Sequence, residues 1–120
     1  MDPDDIAAIE SVAADYIEGW YRGDSVRMDR ALHADLLKRI VERDEGSGEA
    51  AFRGVTKERM LESTAAGGGG DPNAVFDVAV DDVSGDIATA RTISPEYVDY
   101  LHLVRTDRGW KIANVLFRLR

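Results

Sequence analysis

The sequence predicts an α+β domain in which an antiparallel sheet packs on three N-terminal helices. Two observations indicate this fold class. Apolar residues recur every three or four positions near the N-terminus, the period of an amphipathic helix, whereas apolar and polar residues alternate over most of the chain from residue 75 onward. The 120 residues fit one domain spanning 1–120, since neither half could bury its apolar face alone.

Composition excludes several classes of function. The chain has no cysteine, so disulfides, thiolate nucleophiles and cysteine-ligated metals are ruled out. With two histidines, we expect no metal site and no tightly bound cofactor. A net charge of −8 argues against nucleic-acid and anionic-membrane partners, which attract basic proteins. The acidic segment 1–5 is unlike a secretory signal, and we expect a cytoplasmic protein.

The N-terminal half predicts three helices separated by short breaks. A stripe of apolar residues at helical spacing runs through 4–22, and Gly23 is a natural stop for that helix. A second helix is expected at about 25–33. A third begins after its cap Thr56 and continues to about residue 66.

Two short strands and a connector interrupt this helical half. Loose alternation predicts a strand over 36–43, with Lys38 and Ile40 on the same side, and a returning strand over 50–53. Four consecutive glycines at 67–70 cannot continue a helix, and we interpret them as a mobile connector.

The C-terminal part predicts four hairpin-linked strands, at 75–83, 87–93, 97–105 and 110–119. On the third of these, Tyr97, Asp99, Leu101 and Leu103 share a side. Because the two leucines need burial, Tyr97 and Asp99 are predicted to face the helices.

The opposite sheet face is predicted to carry Tyr100 and His102, together with Ile112 and Asn114 from the last strand. Phe117 is expected on the helix side, and the side of Trp110 stays open. Exposing so apolar an outer face to solvent is unfavourable, so we predict a two-fold homodimer with Tyr100, His102 and Asn114 at its interface.

Three stretches of sequence together carry a family resemblance. They are YIEGWYRGD at 16–24, ALHAD at 31–35, and VDYLHLV at 98–104 followed by GWKI at 109–112. Their order resembles the cystatin-like superfamily of nuclear transport factor 2, ketosteroid isomerase and the SnoaL-like cyclases, and within it most of all the "Putative lumazine-binding" family. The resemblance covers nearly the whole chain. It implies a cone-shaped, strongly curved sheet around the first helix, a pocket at the open end, and often pairing of two subunits through the outer sheet face.

The resemblance also implies roles for individual residues. Tyr16 and Asp99 match the positions of the isomerases' oxyanion hole, where a phenol and a protonated carboxyl bind a developing oxyanion. The isomerases' general base matches Val41, which cannot take a proton, so that isomerase chemistry is not expected. The residues alone also allow Tyr16 to be a core tyrosine and Asp99 to form a structural ion pair with Arg91.

Two further residues have open interpretations. His33 follows the second helix and could act as a general base paired with Asp99, or could simply interact with the helix C-terminus. Arg91 could hold an anionic ligand if it faces inward, or could pair structurally with Asp77 or Asp99.

The function expected from this combination is the binding of a small, partly aromatic or heterocyclic molecule. The residues predicted to line its pocket are Tyr16, Trp20, His33, Phe52, Tyr97, Asp99 and Phe117. An isomerase, cyclase or dehydratase is the second hypothesis, with His33 or Asp99 as base and Tyr16 as donor to a carbonyl substrate. The third is a non-catalytic dimeric interaction module whose cone is filled by side chains.

Overall fold

A computed structural model describes residues 1–120. Its elements, in chain order, are α1 (Pro3–Arg22), α2 (Ser25–Ala31), β1 (Leu32–Arg43), β2 (Ala50–Thr56), α3 (Lys57–Ala65), β3 (Asp77–Ser84), β4 (Ile87–Ile93), β5 (Tyr97–Thr106) and β6 (Gly109–Leu119). The α+β class and the three N-terminal helices are confirmed. None of the helices has the length and apolar character needed to cross a membrane.

The predicted helix boundaries are set by local capping. Gly23 ends α1 in the left-handed conformation (φ 66°), where a glycine has no steric cost. The Asp24 carboxylate accepts the backbone N–H groups of Val26 and Arg27 and starts α2. Thr56 caps α3, as predicted. The helix α2 ends at Ala31, earlier than expected, because β1 already begins at Leu32.

The six strands form one curved, unclosed sheet in the order β2-β1-β6-β5-β4-β3. Four neighbouring pairs are antiparallel, as predicted, but β1 and β6 run parallel. No hairpin joins these two strands, since the rest of the sheet lies between them in sequence, and nothing therefore forces them to be antiparallel. The N-terminal strands thus lie beside the C-terminal strand in a single sheet.

A β-bulge corrects the predicted faces of β6. His102 pairs with Asn114 but Leu103 pairs with Ile112, so Ala113 is an extra residue in β6. Alternation placed Ile112 on the outer face together with Asn114. Because the bulge shifts the phase by one residue, Ile112 instead points to the helices and is fully buried in the core.

The tetraglycine segment is not a free connector. The N–H of Gly69 donates to the Trp20 carbonyl at 2.9 Å, and the N–H of Asp71 donates to the Tyr21 carbonyl at 2.9 Å. A Cβ on Gly68 would lie 2.0 Å from the Trp20 carbonyl oxygen. The glycines therefore allow this segment to pack directly against the C-terminal end of α1, which the sequence pattern alone did not indicate.

The structure shows on which side of the sheet Trp110 and Arg91 lie, which the sequence left open. Trp110 lies on the helix side and is buried, with the Arg105 guanidinium 4.7 Å from its ring centroid. Arg91 points outward opposite Tyr100 and pairs with Asp81 at 3.5 Å. The predicted pairing of Arg91 with Asp77 or Asp99 is wrong, because alternation along β4 places Arg91 on the face opposite to Asp99.

Candidate functional site

A chain of buried polar side chains lies between α1 and the sheet. The Tyr16 hydroxyl donates to Asp99 Oδ1 at 2.9 Å, and Lys38 Nζ donates to the Tyr16 hydroxyl oxygen at 2.6 Å. Thr92 Oγ1 donates weakly to Asp99 Oδ2 at 3.4 Å. The exposed fractions are 2% for Tyr16, 9% for Lys38, 0% for Thr92 and 1% for Asp99. We call these four residues the polar cluster.

Four different elements supply the polar cluster. Tyr16 comes from the middle of α1, Lys38 from β1, Thr92 from β4 and Asp99 from β5. Thr92 and Asp99 are cross-strand partners, which explains their contact. Lys38 reaches the cluster because it shares the helix-facing side of β1 with buried Ile40.

Aromatic rings surround the Lys38 amine. Its Nζ lies 4.5 Å from the ring centroid of Phe117, 5.0 Å from that of Tyr16 and 5.9 Å from that of Trp20. Tyr97 packs edge-on against Phe117, with centroids 5.7 Å apart. The Trp20 indole Nε1 is buried without a hydrogen-bond partner. The amine therefore lies in an apolar enclosure with one hydroxyl as its hydrogen-bonding contact.

Burial controls the protonation of the polar cluster. It raises the pKa of Asp99, although the Lys38 charge and the hydrogen bonds from Tyr16 and Thr92 act in the opposite direction. It lowers the pKa of Lys38, with the negative charge of Asp99 opposing the shift. Burial and the charge of Asp99 both raise the pKa of the Tyr16 phenol. Burial thus opposes the charged form of all three groups.

An open cleft lies next to the polar cluster, at the sheet end where β1 and β6 finish and β5 begins. Its volume is about 620 Å³, and its lining residues are Ile40, Val41, Glu42, Arg43, Arg53, Tyr97, Phe117, Arg118 and Leu119. We call it the mouth cleft. Phe117 belongs both to this lining and to the aromatic enclosure of Lys38. Phe117 is thus next to both the buried amine and the mouth cleft.

Most of the predicted pocket residues come together in this region. Tyr16 and Asp99 are in direct contact, and Trp20, Tyr97 and Phe117 lie around them and the Lys38 amine.

His33 is not brought to the polar cluster. It stands at the start of β1, in a separate groove of about 460 Å³ that Arg108 and Lys111 also line, and its Nδ1 accepts the backbone N–H of Asp35 at 3.0 Å. The hydrogen-bonding partners of Asp99 are Tyr16 and Thr92. The hypothetical His33–Asp99 acid–base pair therefore does not form, since β1 places His33 several residues before Lys38.

Phe52 also departs from the predicted pocket. It pairs with Val41 on the outer face of the sheet and is 63% exposed, with the Arg39 guanidinium 5.7 Å from its ring centroid. Alternation within so short a strand does not predict its register with β1, and the register decides the side of Phe52. The observed register with β1 puts Phe52 on the side opposite to Lys38 and Ile40.

The outer face holds the remaining predicted residues. Tyr100, His102 and Asn114 all lie on it, and His102 and Asn114 are cross-strand partners. Two shallow grooves of about 350 and 370 Å³ cross this face and share these two residues. Large apolar side chains there stay accessible, including Leu37 at 39%, Tyr100 at 58% and Leu116 at 45% exposure.

Sequence reasoning missed Lys38 and Thr92. A signal for Lys38 was present, because alternation already grouped it with Ile40, and an apolar residue in a strand next to helices is usually buried. By resemblance, Val41 occupies the position of the isomerases' general base, but its side chain faces outward with that of Phe52. The helix-facing residue of β1 that reaches Tyr16 is Lys38.

Solved structures share this architecture over the full length of the chain. An NTF2-like protein of unknown function from Shewanella baltica OS155 is 18% identical, with a TM-score of 0.82 over 100% of this chain and 97% of its own. Another from Methylobacillus flagellatus KT is 23% identical, with a TM-score of 0.79 over 100% and 95%. A third from Silicibacter pomeroyi DSS-3 is 18% identical, with a TM-score of 0.79 over 100% of both chains. The fold is therefore NTF2-like.

Sequence comparison identifies the family within this fold. The "Putative lumazine-binding" family matches residues 4–118, which is nearly the whole chain, and the protein belongs to that family. The resemblance inferred from the three sequence stretches is thus confirmed. No curated protein matches the chain in sequence.

Proposed function

We propose that this protein binds a small, flat, acceptor-rich organic molecule in the mouth cleft. The observation that carries the proposal is the position of this cleft: its lining residue Phe117 has its ring centroid 4.5 Å from the buried Lys38 amine, and Tyr97 packs against that ring. Its volume of about 620 Å³ is in the range of small-ligand pockets. Aromatic rings beside a few polar groups favour a planar heterocycle, and the name of the family points to a lumazine as the first probe.

The polar groups near the cleft favour a ligand with hydrogen-bond acceptors. Arg43, Arg53 and Arg118 line the cleft with a single acid, Glu42, in a chain whose net charge is −8. Behind Phe117, the Lys38 amine has a single acceptor. Carbonyl oxygens or ring nitrogens of a ligand would accept from the arginines and from this amine.

The experiment is a calorimetric titration of lumazine, and of related flat heterocycles with carbonyl groups, into the full chain. We expect Phe117→Ala and Tyr97→Ala to weaken binding by about tenfold or more, because each removes a stacking ring. His33→Ala is the matched control, since His33 lines a different groove, and it should leave the affinity unchanged. Binding that depends on His33 and not on the two rings would contradict the proposal.

We also propose that two copies pair through the outer sheet face. Leu37, Phe52, Tyr100 and Leu116 leave a contiguous apolar surface there, and monomers rarely expose such patches. The cross-strand pair His102–Asn114 lies between the two grooves. A second copy presents the same apolar surface, so it is the occupant that this face fits without any further partner.

Sedimentation at several protein concentrations tests the pairing. Tyr100→Asp should shift the protein from dimer to monomer, because it would bury a charge in an apolar interface. Val26→Asp introduces the same charge at an exposed position on α2 and should leave the dimer intact. A wild-type protein that stays monomeric at all concentrations would contradict this part of the proposal.

An enzyme acting on a carbonyl substrate is the second candidate. The observation in its favour is the Tyr16–Asp99 hydrogen bond, in which a carboxyl with a raised pKa holds a phenol that could donate to an oxyanion. Turnover of a bound carbonyl compound that Tyr16→Phe and Asp99→Asn both abolish, while binding persists, would favour this candidate. If no small molecule binds and only the dimer forms, the interaction module is the better description.

A further inference from the structure

The Lys38 amine is the most unusual chemical group in this molecule. It is one of three lysines in the chain, and its side chain is buried. Lys57, in contrast, pairs with Asp29 at 2.9 Å, and Lys111 donates to the Arg30 carbonyl near the surface. No carboxylate lies within ion-pairing distance of Lys38, and the Tyr16 hydroxyl is its hydrogen-bonding partner. A charged ammonium would need three acceptors, so this environment suits an uncharged amine.

The surrounding rings do not reverse this preference. A desolvated cation is attracted to aromatic faces, but this attraction is smaller than the cost of removing an ammonium from water. The Asp99 carboxyl does not contact the amine directly, since the Tyr16 hydroxyl bridges them. Burial accordingly lowers the pKa of Lys38. A neutral lysine amine in an apolar enclosure is a nucleophile, and the usual partner of such an amine is a carbonyl carbon.

We propose that the Lys38 amine forms an imine with an aldehyde or ketone group of the molecule bound in the mouth cleft. This inference rests on the proposed function, because the same cleft must deliver the carbonyl compound. Phe117 lines the cleft and its ring lies 4.5 Å from the amine, so a rotation of this ring is the movement that the reaction requires. The substrate class of the cleft is then a carbonyl-bearing flat molecule.

The polar cluster supplies the protons that this reaction needs. The nitrogen lone pair bonds to the carbonyl carbon while the C=O π pair moves to oxygen, and an N–H proton follows to that oxygen to give a carbinolamine. Its hydroxyl then leaves as water with the proton of Tyr16, and the protonated Asp99 carboxyl reprotonates Tyr16, which reverses the Tyr16-to-Asp99 hydrogen bond of the resting protein. The nitrogen lone pair forms the C=N bond, and the Asp99 carboxylate balances the positive charge of the protonated imine. The balance is one amine and one carbonyl giving one imine and one water.

The Asp99–Tyr16–Lys38 chain is suited to this transfer. Two hydrogen bonds, of 2.9 and 2.6 Å, connect the three groups, and both donate toward Asp99 in the resting protein. Burial raises the pKa of Asp99, which favours the protonated carboxyl that the transfer requires. The Thr92 hydroxyl, 3.4 Å from Asp99 Oδ2, is placed to support the carboxylate after the proton has left.

Reductive trapping tests the inference. The full chain is incubated with acetaldehyde and sodium cyanoborohydride at neutral pH, and alkylation of each lysine is followed by peptide mass mapping. We expect Lys38 to react faster than Lys57 and Lys111, since burial without an ion-pair partner favours its neutral, nucleophilic amine. Equal or slower alkylation of Lys38 would overturn the proposal.

Two variants separate chemistry from simple exposure. Tyr16→Phe and Asp99→Asn interrupt the proton path while keeping side-chain shape, so each should slow alkylation of Lys38 about tenfold and leave Lys57 unchanged. Thermal unfolding and circular dichroism verify that both variants are folded. Lys38 alkylation that is unchanged in two folded variants would remove the proton-transfer role and contradict the mechanism.

The outcome also distinguishes this inference from the proposed function. Lumazine binding that depends on Phe117 without any trapping at Lys38 would leave the binding function standing and end the imine proposal. The opposite result would be selective trapping at Lys38 while substitutions of Tyr97 and Phe117 in the mouth cleft leave the affinity for every ligand unchanged. That result would contradict the binding proposal.

Discussion

The two faces of this sheet treat polar and apolar side chains in opposite ways. On β5, Asp99 faces α1 and is 1% exposed, whereas the next residue, Tyr100, faces outward and is 58% exposed. The inner face encloses a carboxyl, an amine and a phenol, and the outer face leaves large apolar side chains accessible. Stability alone would favour apolar side chains on the inner face and polar side chains on the outer face.

The contrast between the two faces indicates where the functional groups lie. A buried polar group costs free energy unless it is fully hydrogen-bonded, and the Lys38 amine has a single partner. Exposed apolar surface is similarly unfavourable unless something covers it. The inner face is therefore the candidate for chemistry and ligand contact, and the outer face is the candidate for protein association.

The largest expected difference between the faces is in core packing. Leu101→Ala should lower the free energy of unfolding by about 2–5 kcal/mol, because Leu101 is 1% exposed and its removal leaves a cavity. Tyr100→Ala, one residue away on the outer face, should cost much less in the monomer. Urea unfolding at low protein concentration measures both. Equal losses from the two substitutions would mean that the outer face is also buried under these conditions.

A smaller loss of stability is expected from substitutions in the glycine segment 67–70, which packs against the C-terminal end of α1. Gly68→Ala should cost about 1–3 kcal/mol beyond its backbone strain, because the added Cβ would lie 2.0 Å from the Trp20 carbonyl oxygen. Gly70→Ala is the control, since Gly70 has a similar positive φ of 64° and nothing within 4 Å of its Cβ position. Equal unfolding midpoints for the two variants would contradict this packing.

Burial of the Lys38 amine on the inner face makes the free energy of unfolding depend on pH. Because its folded pKa is lowered below 10.5, the unfolded chain binds more protons at this site. The stability of the wild type relative to Lys38→Met should therefore rise with pH between that lowered pKa and 10.5, by at most about 1.4 kcal/mol per pH unit. Arg39→Met, on the outer face, should show no such trend, since arginine stays charged. A flat or falling difference for Lys38→Met would contradict the neutral-amine interpretation.

The smallest effect is expected from an outer-face ion pair. Arg91 and Asp81 are 3.5 Å apart with side chains 47% and 45% exposed, so solvent screens their attraction. Arg91→Ala should change the free energy of unfolding by no more than about 1 kcal/mol. Differential scanning calorimetry measures it, and a loss comparable to that of Leu101→Ala would show that charge also matters structurally on this face.

Much of this arrangement could be predicted from local sequence. The alternation of β5 placed Asp99 inward and Tyr100 outward, and the apolar stripe of α1 placed Tyr16 toward the sheet. Both follow from the fixed periods of strands and helices. The caps Gly23, Asp24 and Thr56 were also recognisable, because capping depends on neighbouring backbone groups only.

Long-range contacts decided the rest. The fold class, the inner position of Tyr16 and Asp99, and the apolar outer face could be predicted from the sequence, because they depend on periodicity along single elements. The burial of Ile112, the outward side of Phe52 and the contact between Lys38 and Tyr16 depend instead on how the elements pack together. A bulge, a strand register and a parallel pairing of β1 with β6 fix these contacts, and each depends on residues far apart in sequence.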